Sequence, residues 1–196
     1  MKHLYLIFFT IILSSCTSLN TSTLDRDTGY FSTSIRATVV KYKPMDIDTR
    51  QSLILVPNSE FLKEQIQNIG YFNQVATYEE LGTIIIETGL GNKIPSIMDK
   101  TGVKNAARHY KPFIWFRHTE RQSASEDFVQ FILTDALTLK DILVVETSTG
   151  KYLSGANDQY NWYPMFNSII DYLKENSNTY GRAQNKSPAH VDQNDR

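Results

Sequence analysis

The stretch LILVPNSEFLKEQIQNIGYFNQVATYEEL, residues 53–81, decides the fold. Leu53-Ile54-Leu55-Val56 is a short unbroken apolar run closed by Pro57-Asn58. A run of this kind suits a strand buried on both faces, as in an α/β sheet. Asn58 or Ser59 then offers a helix cap. Phe61, Leu62, Ile66 and Ile69 recur at helical spacing on one face, with Lys63, Glu64, Gln65 and Gln67 elsewhere. Gly70 is a natural helix stop. Tyr71 to Ala76 reads as a second short strand. Thr77-Tyr78-Glu79-Glu80 is a capping-box pattern opening a helix with Leu81, Ile84 and Ile85 inward, although Ile84-Ile85-Ile86 keeps a strand as the alternative. Strand, helix, strand and helix in succession point to an α/β domain.

Working outward, Ser34 to Tyr42 is rich in β-branched residues and ends at Lys43-Pro44, the pattern of a strand. On the other side, Gly89, Gly91 and Asn92 mark a loop. Pro95-Ser96 opens a helix to about Tyr110, although Gly102 weakens it by about 1 kcal/mol relative to Ala. Strands follow at Phe113–Arg117, Phe128–Leu133 and Ile142–Thr147, joined by links short enough for antiparallel hairpins. A last amphipathic helix spans Met165–Glu175, with Phe166, Ile169, Ile170 and Leu173 inward. The expected architecture is an α/β sandwich with a mixed sheet and helices packed largely on one face. The expected single domain covers residues 34–175, followed by a disordered polar tail at 176–196.

The N-terminus states an address. Lys2 precedes the apolar run Leu4–Leu13 and the small pair Ser14-Ser15, the order of a secretory signal peptide. The run is too short for a membrane span, which needs about 20 residues. Leu13-Ser14-Ser15-Cys16 resembles the bacterial lipobox, in which the cysteine is lipidated after cleavage. Cys16 is the only cysteine in the chain, so it has no intramolecular disulfide to close. Residues 1–15 are therefore read as a lipoprotein signal and residues 16–33 as a lipidated cysteine with a flexible Thr/Ser/Asn-rich tether. The lipobox resemblance implies attachment to a membrane through Cys16. Thr17, rather than Asp, follows it, which in such lipoproteins of a cell with two membranes implies the outer one, with the domain in the periplasm.

The order of elements is also similar to a family of envelope proteins comprising the TolB N-terminal domain, CsgG and LpoB. The residues that carry this are Leu53 to Pro57, Phe72 to Val75, Thr77 to Leu81, Ala106-Ala107-Arg108-His109-Tyr110 before a strand, and the turn from Leu133 to Thr138. The chain departs from that pattern after Asp135 and lacks recognisable membrane-inserting hairpins. The resemblance implies protein–protein interaction in the envelope rather than catalysis.

The rest narrows the chemistry. Twenty Lys and Arg face 21 Asp and Glu, and a nearly neutral chain argues against a nucleic-acid partner. His109, His118 and Glu120 are potential metal ligands, but two or three scattered residues do not make a site, and no metal or other cofactor is expected. Asp127, Asp135, Asp141 and Asp158 form no recognisable acid/base pair. No Gly-x-Ser-x-Gly is present, and Gly89-Leu90-Gly91 makes a poor phosphate cradle. The loop Asn157 to Pro164 is the best binding candidate, with Tyr160, Trp162 and Tyr163 as amphipathic contact residues. The alternative is that Trp162 and Tyr163 pack against the sheet or the last helix. The expected function is a lipid-anchored, non-enzymatic interaction or assembly module with an envelope protein partner. A small periplasmic hydrolase or ligand-binding enzyme on the same scaffold is the competing expectation.

Overall fold

The computed structural model describes residues 24–25, 27–124, 126–149 and 161–180. The chain runs through β1 (Thr38–Tyr42), a 3-10 turn (Ile47–Arg50), β2 (Ile54–Val56), α1 (Glu60–Ile69), β3 (Val75–Thr77) and α2 (Tyr78–Glu87). It continues through α3 (Lys100–His109), β4 (Ile114–Gln122), β5 (Asp127–Asp135), β6 (Lys140–Ser148) and α4 (Tyr163–Asn176). The strands form one mixed sheet in the order β1-β6-β5-β4-β2-β3. β2 lies parallel to both β3 and β4, and the remaining pairs are antiparallel. The α/β class and the mixed sheet are as the sequence implies.

The helices divide between the two faces of the sheet. Ile54, Val56, Ile114 and Phe116 point into a core shared with α1 and α4. Leu55, Ala76 and Trp115 point the other way, into a core shared with α2 and α3. The reason is topological. β2 to β3 steps toward one edge of the sheet, and β3 to β4 steps back past β2. Parallel crossovers are right-handed, so steps in opposite directions must run over opposite faces. The antiparallel half needs no crossover helix and is covered only by α4. Its other face carries polar cross-strand ties instead. Arg117 donates to Asp141 and Thr134, while Arg121 and Gln130 donate to Glu146.

Local chemistry sets the boundaries. Ser59 Oγ accepts from the Leu62 amide, and Gly70 closes α1 at φ 69°. Both hydrogen bonds of the Thr77–Glu80 capping box are present. The helix expected from Pro95 starts only at Lys100, where the Asp99 carboxylate accepts from the Gly102 amide at 2.8 Å. Gly102 is required by a close approach, since a Cβ there would lie 1.9 Å from the Ser96 carbonyl oxygen. Tyr71 and Phe72 are core residues ahead of a shorter β3 (Val75–Thr77), not part of the strand.

Packed residues also extend past 34–175 at both ends. Phe31 stacks on Tyr163 at 5.1 Å, and Asn167 bonds both the amide and the carbonyl of Phe31. Beyond α4, Ser177 and Thr179 donate hydroxyls to Asp48, the Asn178 amide joins them, and Tyr180 is buried. Tyr71 donates a fourth bond to the same carboxylate at 2.7 Å. The residues 181–196 assigned to a polar tail lie outside the described residues.

Asp48 makes the first prediction. Desolvation works to raise its carboxyl pKa, but the bonds from Ser177, Tyr71, Thr179 and Asn178 outweigh it and bring the pKa down to about 2 from 3.8. Asp48→Ala leaves the buried Tyr71 hydroxyl and the part-buried Ser177 and Thr179 hydroxyls without this acceptor and is expected to cost about 1–3 kcal/mol in urea unfolding. A lowered folded-state pKa contributes stability that is present above the unfolded value and lost as pH falls toward the folded one. The gap between wild type and Asp48→Ala should therefore shrink by about 1 kcal/mol between pH 5 and pH 3. An unchanged gap would show that the carboxylate is not held this way.

Gln65 makes the second. It is fully buried on the inner face of α1, and neither amide atom has a hydrogen-bond partner. Replacing an unsatisfied buried amide by a thioether of similar shape removes a desolvation cost of about 1–3 kcal/mol. Gln65→Met is expected to raise the unfolding midpoint, and a lower midpoint would refute the assignment.

Candidate functional site

Of the aromatic residues singled out in the sequence, Trp162 and Tyr163 sit at the start of α4. Tyr160 and Asp158 lie outside the described residues, as do Cys16 and residues 17–23 of the tether. Tyr163 is 3% exposed and packs on Phe31, so it presents no surface to a partner. Trp162 is half-buried. Its indole lies 5.5 Å from Phe131, 6.1 Å from Phe61 and 5.0 Å from the His118 imidazole. These two residues close the end of the α1/α4 core, the packing alternative for the loop.

The proposed ligand residues do not converge. His109 is exposed at the end of α3, while His118 belongs to the sheet face beneath α4. No group of three or more His, Cys, Asp or Glu side chains among the described residues could hold a metal ion. Asp135 and Asp141 are committed to the fold, whereas Asp127 is exposed. Asp135 pairs with Arg50 at 2.9 Å and accepts from Thr138, and Asp141 pairs with Arg117 at 2.6 Å. The Asp127 carbonyl accepts from Thr149.

Open α/β sheets bind ligands where crossovers leave toward opposite faces, beyond the carboxyl ends of the strands. Here that crevice lies between the ends of β2 and β3, and surface side chains of the chain bridge it. Asn58 and Glu79 exchange two hydrogen bonds across it, and Lys63 pairs with Glu80 at 2.5 Å. Carboxylates thus already occupy the positive ends of α1 and α2.

A more open concavity lies elsewhere. A cleft of about 850 Å³ separates residues 25–39 from α4. Phe31, Ile35, Ala37, Val39 and Pro164 give it an apolar lining, and Asp25, Asp171 and Glu175 bring carboxylates to it. Tyr30 donates to Asp171 at 2.5 Å, and Tyr42 donates to Glu175 at 2.6 Å. Burial, reinforced by Asp171, pushes the Tyr30 phenol up to about 12. Sequence reading missed this cleft. Its signals were Val39-Val40, apolar on both sides of an edge strand, and the i, i+4 acidic pair Asp171 and Glu175 on the outer face of α4.

No protein-family model, curated protein or solved structure matches the chain. The fold and these surfaces define an α/β domain with side chains bridging the ends of β2 and β3 and an open cleft beside its β1 edge.

His118 yields a testable titration. Burial lowers its pKa below the ordinary histidine value, Glu120 opposes the shift in part, and Nε2 is buried without a partner. The unfolded chain takes up a proton near pH 6.5 that the folded imidazole resists, so acidification through that range weakens folding. Wild type should lose stability between pH 7.5 and 5.5, and His118→Phe should lose less. Equal losses in urea titrations at the two pH values would remove His118 from the account.

Proposed function

We propose that this chain is a lipid-anchored cell-envelope protein whose α/β domain serves as a protein-interaction or assembly module. The observation that carries this reading is the run Leu4–Leu13 ending in Leu13-Ser14-Ser15-Cys16, with Cys16 as the only cysteine. The order of elements shared with the TolB, CsgG and LpoB family supports an interaction role in the envelope. In a cell with two membranes, Thr17 after the cysteine favours the outer one, with the domain in the periplasm.

The anchor also limits reach. Leu24 already packs against the core beneath α4. An extended chain from Cys16 to Leu24 covers at most about 28 Å. The domain therefore stays close to the lipid surface, which raises its effective concentration toward partners in or near that membrane.

Metabolic labelling with a palmitate analogue tests the anchor. Label on the wild-type chain and none on Cys16→Ser is expected, with the variant released to the soluble envelope fraction. Equal labelling of both would refute the anchoring. In-cell photo-crosslinking, scanned over exposed positions of the domain, tests the module. One dominant protein adduct is expected, and its absence from every exposed position would overturn the interaction role.

A further inference from the structure

The interaction reading becomes specific at β1. Edge strands expose a row of unpaired N–H and C=O groups that only another extended chain satisfies in full. β1 pairs with β6 on one side and ends the sheet on the other. Every residue of β1 is exposed, with Val39 at 52% and Val40 at 53%. Val39 stands opposite Val145 and Tyr42 opposite Leu143, so both side chains project to the face covered by α4. On that side the strand borders the 850 Å³ cleft.

The cleft also has a charge preference. Asp171 and Glu175 lie one helical turn apart on α4, and both are exposed. Each accepts a hydrogen bond from a neutral phenol, and no ion pair among the described residues involves either. Asp25 adds a third carboxylate, while Arg36 is the only cation lining the same space among the described residues. A ligand rich in phosphate would meet like charge here. A second copy of β1 would meet it on the opposite face. Lys41 stands opposite Val144, away from α4, and a two-fold antiparallel pair would bring the Lys41 and Lys43 side chains of both copies together.

We propose that the free edge of β1 and the cleft beside α4 receive an extended segment of a partner protein, with apolar residues and Lys or Arg facing α4. The segment continues the sheet about 4.8 Å beyond β1. Its apolar side chains cover Val39, Ile35 and Ala37, and its cations meet Asp171 and Glu175. Main-chain bonds hold the segment, and the side chains toward α4 select it, the usual division in strand addition. This proposal rests on the interaction-module reading.

Fluorescence anisotropy of labelled peptides, titrated with the full mature chain in detergent, tests it. One peptide of roughly ten residues alternates Val and Lys on one face and carries Thr on the other. A second replaces Lys by Glu. Two more carry N-methyl groups on one or the other set of alternate backbone nitrogens of the first peptide. The Lys peptide is expected to bind about tenfold or more tightly than the Glu peptide. One of the N-methylated forms should lose binding while the other keeps it. Asp171→Asn with Glu175→Gln keeps the acceptors for Tyr30 and Tyr42, so the fold is retained and the Lys-over-Glu preference should disappear.

Binding unaffected by either methylation, or no preference for Lys, would overturn the proposal. So would no binding by any peptide, or a dimer in light scattering that Val40→Pro abolishes. The crosslinking scan separates the two claims. A dominant adduct on another face sinks strand addition at β1 and leaves the interaction module standing.

Discussion

Helix α4 is the element on which the rest of the described chain depends. Its inner face buries Met165, Phe166, Ile169, Ile170, Tyr172 and Leu173, and it alone covers the antiparallel half of the sheet. Its outer positions hold the N-terminal region in place. Asn167 grips the Phe31 backbone, Asp171 accepts from Tyr30, and the Tyr172 hydroxyl reaches the Lys43 carbonyl. Asn176 accepts from the Met45 amide, and residues just beyond the helix satisfy Asp48. Pro164 opens the helix without wasting a donor, as the first turn has no use for that N–H. Without α4, residues 24–48 would have little beyond the β1–β6 pairing to hold them.

The two halves of the sheet solve the problem of covering their faces differently. The parallel half is sandwiched between helices, and its crossover crevice is bridged by Asn58, Glu79, Lys63 and Glu80. The antiparallel half keeps one face wet and quiets it with arginine–carboxylate ties. Its exposed hydrophobic surface is concentrated at the β1 edge instead. That separation explains why a search for chemistry finds structural carboxylates, and why the open cleft lies at the rim of the sheet.

Much of the fold was legible in the sequence because its signals are local. Ser59, Gly70 and the Thr77–Glu80 pair act on their own backbone neighbours, so reading them requires no tertiary knowledge. The apolar run Leu53–Val56 likewise announced a doubly covered strand. Three features were hidden because they are set across long distances. The division of helices between faces follows from strand order, which periodicity does not encode. The packing of Ser177–Tyr180 depends on Asp48, far away in sequence, and their polar composition resembles that of a loose tail. Trp162 and Tyr163 looked like contact residues because amphipathic rings serve interfaces and cores equally well. Tyr163 is buried against Phe31, while Trp162 packs beside Phe61, Phe131 and His118 and stays half-exposed. The cleft was invisible for a related reason, since its two walls come from opposite ends of the chain.

The ties between residues 24–48 and α4 also set the order in which the molecule can be built. Phe31 meets Asn167 across 136 positions, and Tyr30 meets Asp171 across 141. Such non-local closure makes folding slow, because loop entropy is lost before any contact compensates it. β1 has no neighbour until β6 is made, and the core beneath the sheet stays open until α4 arrives. The core on the α2/α3 face contains no residue of α4, whereas the core on the other face cannot close before α4 is present. Completion of the fold becomes a proofreading step, since a chain truncated before Tyr163 cannot close that core.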